Sequence, residues 1–306
     1  MKTNKIVVLG SCNTDMVVKS SRLPVPGETI LGGTFMMNPG GKGANQAVAA
    51  ARLGGNVTFV TKTGNDLFGR QSIELYNDEN INTEFISSDP DLPSGVALIT
   101  VDGEGENCIV VASGANGSLS PADVKDAEKE IASADILLMQ LEVPIETVEY
   151  AAKMAKKNGV KVILNPAPAQ SLSNDLLSNI HMIIPNETEA EIISGIKVTD
   201  AESAKKAADM ICSKGVDIVV ITMGSAGALI KEGNQYHQIP ALRVKAVDTT
   251  AAGDTFCGAI SVALSEGKSL VDAIKFANQC SAITVTRMGA QASIPYRKEV
   301  LTGAAV

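Results

Sequence analysis

The sequence predicts an α/β fold: a doubly wound, mostly parallel sheet flanked by helices, with a small β-sheet lid. Two observations predict it. Short runs of Val, Ile and Leu alternate with helical patterns along most of the 306 residues, as strands covered by helices on both faces require. Two segments then break the alternation. Residues 15–37 hold Pro24, Pro26, Gly27, Gly32 and Gly33 between short β-prone pieces. Residues 94–111 read as a hairpin across Asp102-Gly103-Glu104-Gly105. Together they suit a small antiparallel sheet projecting from the main body.

Taken in order, the strand candidates are residues 5–9, 57–60, 136–140, 162–164, 182–184 and 217–222. Helix starts are marked by local chemistry. A glycine-rich stretch leads into a helix over 47–53. Ser120-Pro121-Ala122-Asp123 places a capping Ser before a Pro at the first helical position, and Thr199-Asp200-Ala201-Glu202 reads as a capping box. Ser269 opens a further helix, whose Ile274, Ala277 and Ala282 suit one buried face. No linker, low-complexity tract or repeat interrupts the chain. Residues 1–306 are therefore expected to form one domain, with lid segments at about 12–37 and 94–112 inserted in it.

Composition excludes several function classes. The chain is 45% hydrophobic and 20% charged, which suits a large core. Its net charge of −8 disfavours nucleic acid and anionic membrane surfaces as partners. Four Tyr, six Phe and no Trp leave little for base-stacking platforms. Cys12, Cys108, Cys212, Cys257 and Cys280 are odd in number and form no CxxC pair, as expected of reduced thiols. With only His181 and His237, a three-His zinc site is impossible and acid–base work falls to carboxylates. The first nine residues offer an apolar run of four, too short for a signal peptide or membrane span. A soluble cytoplasmic protein is expected.

Three motifs carry chemistry. In Val247-Asp248-Thr249-Thr250-Ala251-Ala252-Gly253-Asp254 a β-prone piece ends at Asp248, small residues follow, and Asp254 opens an apolar helix. Free N–H groups at such a start can hold an anion, and an Asp beside them can take a proton from an attacking hydroxyl. An ordinary helix-capping Asp is the alternative. Asn38-Pro39-Gly40-Gly41-Lys42-Gly43-Ala44-Asn45-Gln46 exposes backbone and supplies polar groups, and it is neither a Walker A loop nor GxGxxG. Asn186-Glu187-Thr188-Glu189 follows a strand and puts a carboxylate near the edge where open α/β sheets bind ligands. Taken singly, it is merely a helix start with acidic residues, which suit the dipole.

These residues resemble the ribokinase branch of the ribokinase-like (PfkB) sugar kinase family. The likeness runs from Gly10-Ser11-Cys12-Asn13-Thr14-Asp15 to Thr286-Arg287-Met288-Gly289-Ala290-Gln291-Ala292-Ser293. The GGKGAN stretch and the one ending in Asp254 match the two family signatures in order and position. The resemblance implies a ribokinase-like fold and ATP-dependent phosphorylation of D-ribose at O5 to give ribose 5-phosphate. It implies Asp254 as general base, with an anion hole formed by Ala251, Ala252 and Gly253. The sugar would lie against Asn13, Thr14, Asp15, Gly41, Lys42, Gly43, Ala44, Asn45, Glu142 and Asp254. ATP would lie over Asn186, Glu189, Thr222, Met223, Gly224, Ser225, Ala226, Gly227, Gly253, Asp254 and Asn278, with Glu189 ordering Mg²⁺. An activating K⁺ site would map to Asp248, Thr250, Thr284, Arg287, Gly289 and Ser293, several through main-chain carbonyls. Cys257, where many relatives carry Asn, receives no role. A homodimer through the lid sheets is expected.

Alternatives remain at this level. A kinase of deoxyribose or another pentose differs by one or two hydrogen bonds. A non-catalytic sugar-binding regulator would not need Asp254, and the missing GxGxxG argues against an oxidoreductase.

Overall fold

Valine- and isoleucine-rich runs become the strands of the computed structural model, which describes residues 4–302; residues 1–3 and 303–306, the ends of the expected 1–306 domain, lie outside the described residues. The strands are β1 (Lys5–Leu9), β2 (Asn13–Lys19), β3 (Thr34–Gly40), β4 (Asn56–Gly64), β5 (Ile86–Asp89), β6 (Gly95–Val101) and β7 (Asn107–Ala112). They continue with β8 (Ile136–Met139), β9 (Lys161–Leu164), β10 (Met182–Ile183), β11 (Ile218–Thr222), β12 (Ala228–Glu232) and β13 (Gln235–Ile239). The main sheet has the order β13-β12-β11-β10-β9-β8-β1-β4-β5. It is parallel from β5 to β11, and β12 and β13 add an antiparallel edge.

Central strand β1 shows why these runs are continuous. Ile6 and Val8 belong to one core, with Ala47 and Ala50 of the Lys42–Arg52 helix and Ile260 and Ala277 of the Ala252–Ser265 and Leu270–Val285 helices. Val7 and Leu9 face a second core containing Val148 and Ala152 of the Ile145–Lys157 helix and Ala204 and Ala207 of Ala201–Ser213. Both faces are covered, so neither can be polar. Each such side chain contributes about 1.5–3 kcal/mol on burial.

The lid is a four-stranded sheet in the order β3-β2-β6-β7. The hairpin β6–β7 forms as expected, as does antiparallel β2–β3. The expectation of a wholly antiparallel sheet is corrected, because β2 pairs β6 in parallel. Between them the chain returns to the main sheet through β4 and β5 and re-enters the lid beside its first exit, so the two strands run the same way. Successive side chains alternate between faces. Asn13, Asp15, Ala97, Ile99, Ile109 and Val111 share one face by register, and Met37, Leu98 and Val110 share the other.

Three local expectations are also corrected. The helix expected over 47–53 begins at Lys42, because Gly41 makes the turn at φ +89° and releases the next residue into the helix. The capping box at 199–202 is shifted by one: Asp200 accepts from Ser203 N at 2.8 Å, and Ser203 Oγ accepts in return from Asp200 N at 3.0 Å. The stretch before Asp248 is no strand; the N–H groups of Val247 and Asp248 both go to the Val285 carbonyl, away from any sheet edge. Among the described residues, no helix is long and apolar enough to cross a membrane.

Candidate active site

One cleft of about 420 Å³ opens where the C-terminal ends of the parallel strands meet the starts of two helices. Ligands bind at this edge of open α/β sheets because loops and helix N-termini converge there. The Ala252–Ser265 helix starts from Ala251, held at φ +60°. That left-handed turn costs a side-chain-bearing residue about 1–2 kcal/mol and turns the small residues 251–253 into the site. A Cβ built on Gly253 would meet no atom within 4 Å. Open space therefore lies over the first free amides of the helix, where the dipole favours an anion.

Asp254 is the third residue of this helix and caps nothing. Its Oδ2 accepts from Asn45 Nδ2 and its Oδ1 from Gln46 Nε2, both at 2.9 Å. The capping alternative is thereby excluded. Burial raises its pKa, against the opposing pull of Lys42, Gln46 and Asn45. A raised carboxylate is a stronger base. Gln46 is itself held by Gln140 Nε2 at 2.6 Å and donates to Asn165 Oδ1 at 3.0 Å. Asn165 Nδ2 ends the chain on the Ile184 carbonyl.

The Lys42–Arg52 helix comes unusually close to the chain leaving β1. A Cβ on Gly43 would lie 2.6 Å from Gly10 C and Ser11 N. Glu142 is anchored in this joint: one oxygen accepts from Lys42 N at 2.9 Å and from Ser11 Oγ at 2.5 Å. Burial would lower the Lys42 pKa, yet the carboxylates of Asp254, Glu142 and Glu189 hold it above its ordinary value. From the lid, Asp15 enters with its carboxyl pushed up to about 6 by burial and by the charges of Glu142 and Asp254. Asn13 Oδ1 accepts from Asn116 Nδ2 at 2.8 Å, which fixes the amide. Asn45 lines the cleft, and its buried Oδ1 has no partner.

Of the sequence-predicted site residues, Asn13, Asp15, Gly41, Lys42, Asn45, Glu142, Asn186, Glu189, Thr222, Thr250, Ala251, Gly253 and Asp254 are brought to this one cleft. Thr14 is not, because strand alternation turns it to the other face of β2. Gly43 and Ala44 are buried in the helix joint, and Ala252 lies outside the cleft wall. Buried Met223, the turn Gly224–Ala226 and Gly227 follow β11 beyond that wall, and Asn278 Nδ2 donates to the Pro240 carbonyl.

Asp248 accepts from Thr250 N and Gly289 N, both at 2.9 Å, and these bonds keep it ionised despite partial burial. The Thr284 hydroxyl bonds to the Cys280 carbonyl and to Thr255 Oγ1, the Ser293 hydroxyl to the Ala290 carbonyl, and Arg287 pairs with Glu299. Their side chains are committed, so only main-chain oxygens beside Asp248 fit a hard monovalent ion.

Glu189 completes a capping box with Asn186 and still faces the cleft; burial raises its pKa, against the Asn186 amide and Lys42. No group of three or more acidic, His or Cys side chains capable of holding a metal occurs among the described residues. A lone carboxylate fits Mg²⁺ that arrives with nucleotide phosphates and keeps its waters.

Sequence reasoning missed Ser11, Gln140, Asn165 and Asn116, gave Gln46 no role, and missed the apolar lid wall of Ala97, Ile99, Ile109 and Val111. A usable signal existed for two of them. Gln140 and Asn165 directly follow apolar strands at the ligand-binding edge. Cys257 also lines the cleft, but burial, with Asp254 and Glu189, pushes its thiol pKa far up and keeps it neutral.

Comparisons with known proteins agree with this geometry. The chain is 49% identical to the ribokinase of Haemophilus influenzae over 97% of both chains. It is 38% identical to the deoxyribokinase of Salmonella typhi over 95% of both. The structure of Arabidopsis thaliana ribokinase complexed with ribose and ATP superposes with a TM-score of 0.92 at 34% identity, covering 99% of this chain and 98% of that one. The model of the pfkB family carbohydrate kinases matches residues 3–297, and the chain belongs to that family.

Proposed function

We propose that this chain transfers the γ-phosphoryl group of ATP to O5 of D-ribose. The observation that carries the proposal is Asp254: a buried carboxylate aimed by two amides beside the open helix start at residues 251–253. Asp254 accepts the proton of the 5-hydroxyl as O5 attacks, and the free amides of Ala251 and Gly253 receive the charge of the transferring group, the Ala252 N–H being bonded to the Thr249 carbonyl at 3.2 Å. Asn13, Asp15, Lys42, Asn45 and Glu142 offer the donors and acceptors that vicinal hydroxyls need. Ala97, Ile99, Ile109 and Val111 cover the sugar and keep water from competing as acceptor. The nucleotide lies along Asn186 and Thr222 toward Met223, Gly224, Ser225, Ala226, Gly227 and Asn278. Bound Mg²⁺ would neutralise phosphate charge beside Glu189.

An ADP-release assay with ribose, 2-deoxyribose and other pentoses tests this. Ribose should give the highest kcat/KM; a preference for 2-deoxyribose would transfer the assignment to that sugar, as the Salmonella relative suggests. Asp15 adds a pH dependence. Acceptance from sugar hydroxyls needs its ionised form, so the ribose KM should rise by about tenfold or more as pH falls below about 6. In Asp15→Asn, KM should be high and flat across pH 5–8.

The oxygen set at Asp248 and the main chain of Thr250, Thr284, Arg287, Gly289 and Ser293 suits K⁺. It adjoins the 251–253 turn without touching the cleft's carboxylates, so an ion there would set the turn's shape. The rate should rise with K⁺ and much less with Na⁺ or Li⁺ at constant ionic strength; equal rates in all three would sink the assignment.

A homodimer through the lids is supported by the lid's outward face, where Phe35, Met37, Leu98 and Val110 are half or more exposed. Light scattering at micromolar concentration should give twice the chain mass, and a monomer would refute the interface. The lid supplies Asn13 and Asp15 to the common cleft, which supports one domain with an insertion. All five cysteines are free, in keeping with a reducing cytoplasm.

A further inference from the structure

The ends of three neighbouring strands meet in one chain of hydrogen bonds beside Asp254. Ile184 directly follows β10, Asn165 follows β9 and Gln140 follows β8. A main-chain carbonyl can only accept. The Ile184 oxygen therefore turns the NH₂ of Asn165 toward itself, at 3.1 Å, and leaves Asn165 Oδ1 as an acceptor. Gln46 Nε2 must donate to that oxygen, at 3.0 Å, and its other hydrogen goes to Asp254 Oδ1 at 2.9 Å. Both hydrogens of the Gln46 amide are then spent, and its Oε1 needs a donor. Gln140 Nε2 supplies one at 2.6 Å.

Gln140 is fully buried and lies outside the cleft wall, and its own Oε1 has no partner. A buried acceptor without a donor is unfavourable. Turning the Gln140 amide over would not help, because it would set acceptor against acceptor at Gln46. The fold instead makes room for the orphan oxygen: a Cβ on Gly10 would collide with it.

Resting on the assignment of Asp254 as the base, we propose that Gln140 is a positioning residue: by capping Gln46 Oε1 it keeps Gln46 a donor to Asp254, and so keeps the base ionised and aimed. Without the cap, Gln46 Oε1 becomes a second buried orphan. Gln46 relieves it only by turning away from Asp254 or by turning its oxygen onto it, and either way the carboxylate loses a donor. A hydrogen bond to the charged form favours that form, so its loss raises the Asp254 pKa. The base then stays protonated to higher pH, and turnover is lost from the acid side. The charged and titratable groups facing Asp254 are Lys42, Glu142, Glu189, Asp15 and Cys257. A neutral replacement of Gln140 leaves all five in place.

Gln140→Met keeps length and neutrality and deletes the donor. Two readings test it: the ¹³C titration of the Asp254 carboxyl, assigned by its absence in Asp254→Asn, and the pH profile of kcat at saturating ribose and ATP. Asp254 should titrate about one unit or more higher than in wild type. The acid limb of kcat should move up with it, while ribose KM at pH 8 stays within about twofold. Gln46→Met with and without Gln140→Met should titrate alike, because Gln140 acts through Gln46. A merely structural role would instead lower kcat equally at every pH. Should Gln140→Met not fold, Gln140→Glu decides, since its neutral carboxyl still donates to Gln46. Its kcat should match wild type on the acid side and fall as that carboxyl ionises, an alkaline limb that wild type lacks. An Asp254 titration unmoved by Gln140→Met, a loss of kcat equal at every pH, or a Gln140→Glu profile without the alkaline limb overturns the proposal. If Asp254→Asn keeps its kcat, the base assignment fails, while the carboxyl titration still decides whether Gln140 governs Asp254.

Discussion

Asp254→Asn should lower kcat by ~10²–10⁴-fold, the range typical for loss of a general base, with ribose and ATP affinities within several-fold of wild type. The substitution is clean because of the hydrogen bonds around it. Gln46 cannot turn, since Gln140 and Asn165 hold it as a donor to the carboxylate. Asn45 can turn, because its Oδ1 is unpartnered. An Asn at 254 can keep its oxygen toward Gln46 and give its NH₂ to a flipped Asn45. The melting temperature should therefore hold within a few degrees while turnover collapses. Kinetics, calorimetric binding and thermal melting on both proteins check this, and near wild-type kcat would remove Asp254 from the chemistry.

Gly43→Ala should be nearly as damaging by a different route. The added methyl would sit 2.6 Å from Gly10 C and Ser11 N, main-chain atoms with no room to yield. Relief requires the Lys42–Arg52 helix to move outward by several tenths of an ångström or more. That helix carries Lys42, whose N–H holds Glu142, and Asn45 and Gln46, which aim Asp254. Misplacement on the order of 1 Å costs about 10²-fold, so kcat/KM should fall by about that factor. Overpacking should also cost about 1–3 kcal/mol of stability. Melting and steady-state kinetics measure the two effects together. A variant with wild-type kcat/KM would show that the close approach is not needed for the geometry of the site.

The contrast between these two residues shows what was legible in the sequence. Asp254 could be singled out because small residues before a carboxylate at a helix start are a local pattern with its own physics. In the sequence, Gly43 is one of several glycines that expose backbone to a ligand. Its actual service is to let a helix touch a strand exit 32 residues earlier, which no local pattern records. The 47–53 helix was begun five residues late for the same reason: the glycines that suggest a loop in isolation are required here by contact.

Six of the nine main-sheet strands and the hairpin of the lid were determined by the sequence itself, because apolar runs and turn residues act over a few positions, whereas β5, β12 and β13 were not legible there. Legible too was the motif at residues 248–254, whose small residues and carboxylates sit next to one another. Only the tertiary structure decided that β2 and β6 run parallel, and that Thr14 turns away while Asn13 and Asp15 turn in. Only it assembled Gln140, Gln46, Asn165 and Asp254 into one chain of hydrogen bonds from four separate elements. A hydrogen bond depends on two groups lying within about 3 Å in space, whatever their separation along the chain, and that distance exists only once the two cores have packed.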